Sequence, residues 1–169
     1  MLFSTVSSMD SIAKISAVYA KLLNGIDWQD PLLCKGLREG RNKFLSNAWL
    51  SLFPDPNKYH NTHFASVEAH RQLKGKKYSG LVFEHVVPKH YFQSRLECEA
   101  EEAAKNGKSI SIARIEKILR KNWILATVTK DEDKKLLKLP VDWDLDEKNK
   151  FIRYANLKLE VNSFFKEPL

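Results

Sequence analysis

"LVFEHVVPKHYF", residues 81–92, decides how this chain is read. It begins as an apolar run rich in β-branched and aromatic residues, which suits a buried strand. A carboxylate and an imidazole then stand side by side, Glu84 and His85, and Pro88 closes the run. Proline lacks the donor that a strand needs, yet its fixed φ suits the first turn of a helix. The stretch therefore predicts a strand over 78–87 and a helix over 88–107, with Gly107 as C-cap. Backbone geometry does not require the acid–His pair. It is either a hydrogen-bonded detail of a strand end or part of a site.

The flanking segments carry helical and strand signals of their own. Ile12, Ile15, Val18, Tyr19, Leu22 and Leu23 recur at helical spacing over 9–25. Asp30 and Pro31 open a helix over 30–56, with Gly36 and Gly40 as points where it can break. A short helix over 62–73 leads to the basic turn "KGKK", 74–77. Ile112, Ile115, Ile118 and Leu119 form the inward stripe of a helix over 109–122. "NWILATVT", 122–129, is the second strand, and Thr129 with Glu132 makes a capping box for a helix over 129–139. A last helix is expected over 146–161. The sum is a mostly helical α+β fold. It holds a small two-stranded antiparallel element with a helix packed across it, in one domain over 1–169.

Composition narrows the class of protein. Hydrophobic residues are 43% and charged residues 29%, so the chain can bury a core without disulfides or a structural metal. Cys34 and Cys98 are far apart, which argues against a zinc ribbon. No apolar run reaches the ~18 residues of a membrane span, and "MLFSTVSSMDSIAK" lacks the pattern of a signal peptide. The expected setting is the cytoplasm, with no membrane partner. The net charge is +7, and the basic residues cluster. Arg71, Lys74, Lys76, Lys77, Lys89 and Arg95 face one acid, Glu84, over 71–95. Lys105, Lys108, Arg114, Lys117, Arg120, Lys121 and Lys130 face Glu116 alone over 105–130. Two basic windows around one acid–His pair suit a phosphate-bearing partner.

The order along the chain is strand, acid–His, helical insertion, strand, capped helix with acids in its first turn. Folding the capped helix back across the strands brings 84–85 toward 131–133. Two carboxylates there can hold Mg²⁺, which keeps several waters and accepts a phosphate. A neighbouring His can take a proton from the attacking water. Among the acids, Asp131 serves the helix dipole and Glu132 the capping box, which leaves Asp133 without a local duty.

This order resembles the HNH, or ββα-metal (His-Me finger), nuclease superfamily. The matching residues are "FEHVVPK", Asn122 before the second strand, and Asp133 in "TKDEDKKL". The resemblance covers 78–139 as a ββα-metal-like core, with 88–121 as a helical insertion. It implies a metal-dependent endonuclease acting on DNA. Glu84 and Asp133 would hold a divalent ion, Mg²⁺ first and Mn²⁺ or Zn²⁺ as alternatives. His85 would be the general base, and Asn122 would fix the loop that orients it. Lys76, Lys77, Lys89, His90, Arg114 and Lys121 are the phosphate-contact candidates. Bland alternatives stand beside each: Asn122 can simply end a helix, each basic residue can be a solvated surface charge, and Arg153 in the last helix can form an ordinary salt bridge. A non-catalytic nucleic-acid-binding or regulatory protein, or an immunity or accessory factor, remains the alternative function.

Overall fold

A computed structural model describes residues 10–168. The signal-peptide reading falls mostly on residues 1–9 and lies outside the described part. The chain begins with helix α1, Ser11–Gly25, where the Asp10 side chain accepts from the Ala13 amide as N-cap. Asp30 caps α2, Pro31–Gly36, in the same way, with Pro31 in its first turn. The helix expected over 30–56 breaks once, at Leu37, and α3 runs Arg38–Leu50 straight through Gly40.

Strand β1, Phe64–Ser66, follows, and Ser66 then caps α4, Val67–Lys74. Strand β2 spans Leu81–His85, and α5, Lys89–Lys105, starts just after Pro88. Helix α6 is Ile112–Asn122, strand β3 is Leu125–Thr129, and α7 is a single turn, Lys130–Asp133. A 3₁₀ turn, Ile152–Tyr154, and strand β4, Leu159–Val161, complete the described elements.

The fold is α+β, with one mixed four-stranded sheet in the order β2-β3-β1-β4. The two strands read from sequence pair antiparallel, Glu84 opposite Ala126 and His85 opposite Leu125. Two further strands were not expected. β1 pairs parallel with β3 and antiparallel with β4, where helix had been expected over 62–73 and 146–161. Each is three residues long, too short to show a period-two pattern. Tertiary pairing holds them: Thr62 and Thr127 hydroxyls meet at 2.9 Å, and the Leu125 amide donates to His63 Nδ1 at 3.0 Å. The helix expected over 129–139 stops after one turn because the chain turns away. The Leu137 amide donates to the Arg153 carbonyl, and Leu136 joins the apolar cluster of Val86, Val128 and Tyr154.

The main core lies between one sheet face and helices α1, α3, α5 and α6. Tyr19, Leu45, Trp49, Phe92, Leu96, Ile115, Leu119 and Leu125 are buried there. The other face is covered by the loop after α7 and the 3₁₀ turn. No helix among the described residues is long and apolar enough to cross a membrane.

Candidate functional site

Glu84 and His85 end β2, which is an edge strand of the sheet. Successive strand side chains project to opposite faces. Glu84 therefore points to the face covered by the 3₁₀ turn, and His85 to the face packed on the helices. Their neighbours agree with that division.

On the first face, Arg153 Nη1 donates to Glu84 Oε1 at 2.7 Å and to the His85 carbonyl at 3.2 Å. One guanidinium thus holds both residues of the pair. Burial pushes the Glu84 carboxyl up; the Arg153 bond and charge oppose this, and the Asp133 charge adds to the rise. Asp133 and Glu84 also act together on Tyr154, whose phenol is pushed up chiefly by burial. The Tyr154 hydroxyl is buried without a hydrogen-bond partner.

The capped turn explains how Asp133 arrives there. Thr129 pairs with Leu81, at the far end of β2 from Glu84, and the Lys130 amide donates to the Gly80 carbonyl at 2.8 Å. The turn then brings Asp133 within electrostatic reach of Glu84. Both arms of the capping box are formed, and Glu132 Oε2 also accepts from Ser66 Oγ at 2.6 Å. Asp131 is exposed and paired with Lys134 at 3.7 Å. Asp133 is the acid of the turn whose charge acts on Glu84.

On the second face, the His85 ring packs edge-on against Phe83 at 5.7 Å and Trp123 at 5.2 Å. Its Nε2 is 3.5 Å from Ser46 Oγ of α3. Burial, helped by the Lys89 charge, pushes the imidazole down to about 3. His85 is therefore neutral at physiological pH, the form that can accept a proton. Lys89 is half-buried at the first position of α5 and donates to the Asn42 carbonyl. Burial first, and then Lys43, push its ammonium down.

The buried neutral imidazole gives an acid-stability prediction. An unfolded histidine titrates near 6.5, and folded His85 only near 3. Between those values the unfolded chain binds more protons, so the contribution of His85 is complete above 6.5 and lost as pH falls toward 3. Glu84, with its raised carboxyl, slopes the other way, so the readout is wild type against His85→Gln. Urea midpoints measured from pH 7 to 4 should fall more steeply for wild type. Parallel curves would rule out the buried neutral imidazole.

The remaining predicted residues divide. Asn122 is the last residue of α6, not the first of β3. Its Nδ2 donates to the Ile118 carbonyl at 2.9 Å, and its Oδ1 is buried without a partner. That geometry ends the helix, and no bond links Asn122 to His85. Arg114 makes two bonds to Glu99, at 2.7 and 2.6 Å, which occupy its guanidinium. Lys76, Lys77 and Lys121 are exposed. His90 is exposed and tilts against Tyr91 at 4.3 Å.

Arg153 forms a salt bridge, as expected, and its partner is Glu84; the sequence reading did not single out Lys43 or Ser46. Arg153 is 69 residues from Glu84, and Ser46 is 39 from His85, so no local pattern marks them. Among the other histidines, His60 holds Asp55 at 2.6 Å, and His70 holds Ser163 at 2.7 Å. Among the described residues no group of three or more His, Cys, Asp and Glu is placed to hold a metal ion. No protein-family model, curated protein or solved structure matches this chain.

Proposed function

We propose that this chain is a divalent-metal-dependent endonuclease of the HNH, ββα-metal kind, acting on DNA phosphodiester bonds. The observation that supports the reading is a half-buried carboxylate, Glu84, next to a neutral imidazole, His85, at the end of an edge strand, with the Asp133 charge acting on Glu84. Two hard carboxylates suit Mg²⁺ or Mn²⁺, which need only one or two protein carboxylates beside water and phosphate. When bound, the ion would stabilise the charge that develops on the phosphate.

The chain's own residues would do the rest. Because β2 is an edge strand, side chains on both of its faces can address a phosphodiester laid across its end. His85 would take a proton from the attacking water. An arriving phosphate favours the charged imidazolium and so raises the pKa of His85 toward a useful range. Lys89 and Lys43 would meet the adjoining backbone phosphates. The α7 turn and the paired strands β2 and β3 would form the ββα-metal-like core, with α5 and α6 as the insertion.

Incubation of plasmid DNA with the full chain and Mg²⁺ or Mn²⁺ tests the proposal. Metal-dependent nicking that EDTA stops is expected. Intact plasmid under all divalent ions would end it.

A second reading is a non-catalytic nucleic-acid-binding protein. The Arg153–Glu84 bond favours it, because that bond satisfies the carboxylate without a metal. Both readings require phosphate contacts. Ala at Lys76, Lys77 or Lys121 should weaken DNA binding about equally for all sequences and lower the salt slope by about 1 each. Filter binding from 50 to 300 mM salt checks this, and an unchanged slope removes that lysine from the interface.

A further inference from the structure

At the opposite edge of the sheet from β2, β4 runs into a turn that carries Ser163. Asn162 fixes that turn. Its amide donates to the His63 carbonyl at 2.9 Å, its Nδ2 donates to the Tyr59 carbonyl and to Thr62 Oγ1 at 3.0 Å, and its Oδ1 accepts from the Phe164 amide at 3.1 Å. Ser163 is exposed, and its Oγ stands 2.7 Å from Nε2 of His70 in α4. His70 is 8% exposed, and Glu160 of β4 lies behind the ring, with Oε2 at 3.8 Å from Nδ1. Lys158 pairs with the other oxygen, Oε1, at 3.2 Å, which leaves Oε2 for the ring. When Nε2 accepts from the serine, the ring proton sits on Nδ1, toward that carboxylate. Ser163 also lines a cavity of about 770 Å³, together with Leu52, Phe53, Phe164 and Lys166. The His60 ring, held by Asp55 at 2.6 Å, stacks on Phe164 at 4.6 Å and braces the wall next to the serine.

We propose that Ser163, His70 and Glu160 form a nucleophile–base–carboxylate relay that hydrolyses carboxylic esters with a compact apolar acyl group. The site shares no residue with the nuclease reading and does not rest on it. A merely structural bond needs neither an accessible hydroxyl nor a carboxylate behind the ring. A serine within bonding reach of a base, with the base facing a third group, is the arrangement that activates serine on unrelated folds. His70 Nε2 takes the Oγ proton as Oγ bonds to the ester carbonyl carbon, and the carbonyl π pair moves onto oxygen. Collapse of that intermediate expels the alcohol oxygen, which takes the proton from Nε2. A water deprotonated by Nε2 then attacks the acyl-serine and releases the acid, and the proton returns to Oγ. Glu160 is a positioning residue: it stabilises the imidazolium, and its 3.8 Å gap narrows to a bond as the ring becomes charged. The Lys166 ammonium is the group of the lining suited to the developing oxyanion. Leu52, Phe53 and Phe164 take the acyl chain, in a cavity of the size that holds small organic ligands.

Diisopropyl fluorophosphate, which phosphorylates an activated serine and releases fluoride, tests the nucleophile in the full chain. Intact mass and peptide mapping should find one diisopropylphosphoryl group, on Ser163. Ser163→Ala, at an exposed position, should take up none. His70→Gln should slow the labelling by roughly 10²- to 10⁴-fold, the usual contribution of a positioned base. Turnover of p-nitrophenyl butyrate should disappear in Ser163→Ala. Glu160→Gln should lower kcat by at least about tenfold at unchanged KM, as expected of a group that acts through the imidazole. The adduct map on wild type decides the matter if His70→Gln fails to fold. No adduct on wild type, an adduct on another residue, or labelling unchanged in a folded His70→Gln would overturn the proposal. An adduct on Ser163 without turnover of the ester, or turnover retained by Ser163→Ala, would overturn the hydrolase, and an unchanged kcat in Glu160→Gln would remove the carboxylate from the relay.

Discussion

His85→Ala should lower metal-dependent plasmid nicking by roughly 10²- to 10⁴-fold, the usual contribution of a positioned general base. The size follows from the state of the imidazole. Its buried ring is held neutral, and the Phe83 and Trp123 contacts fix its orientation at the end of β2. DNA affinity should stay within about twofold, because the phosphate contacts are assigned to lysines. Circular dichroism and the thermal midpoint of the variant report whether the fold survives the truncation. Nicking within tenfold of wild type by a folded His85→Ala protein would remove His85 from the chemistry.

Trp49→Ala should be the most destabilising of the core truncations, at about 3–5 kcal/mol. Trp49 is 1% exposed and joins α3 to both β-rich and helical parts of the core. It packs on Phe53 at 5.1 Å, His63 at 5.3 Å, Trp123 at 6.0 Å and Phe165 at 6.2 Å. Its Nε1 also donates to the Asn61 carbonyl at 2.8 Å, a bond that truncation leaves unmade in a buried place. A domain of this size loses about 2–4 °C of thermal midpoint per kcal/mol, so a fall of roughly 10 °C is expected. Val161→Ala, at a site 72% exposed, is the control and should stay within about 0.5 kcal/mol. A loss under about 1 kcal/mol for Trp49→Ala would contradict this packing.

Part of the site could be read before any tertiary information. Asp30, Ser66 and Ser111 cap helices as short polar residues do, and the Thr129–Glu132 capping box forms. Ascribing Glu132 to the cap and Asp131 to the helix end leaves Asp133, whose charge acts on Glu84. One feature was legible and overlooked: neighbours on a strand point to opposite faces, so Glu84 and His85 can meet a common ligand only at the open edge of β2. The two three-residue strands were not legible. Their pairing partners lie far away in sequence, and three residues cannot display a period.

By itself, the sequence determined what rests on neighbours a few residues apart: helix caps, the apolar stripes of α1 and α6, and the β-forming runs of β2 and β3. These depend on dihedral preferences and local hydrogen bonds, which act over one or two turns of chain. Only the tertiary structure decided which charges meet. Arg153 reaches Glu84 from 69 residues away, and Ser46 reaches His85 from 39. Burial then sets their states, holding His85 neutral and raising Glu84 despite its arginine. Desolvation and Coulomb energy depend on distance in space and on exclusion of water, and neither is written in the spacing of residues along the chain.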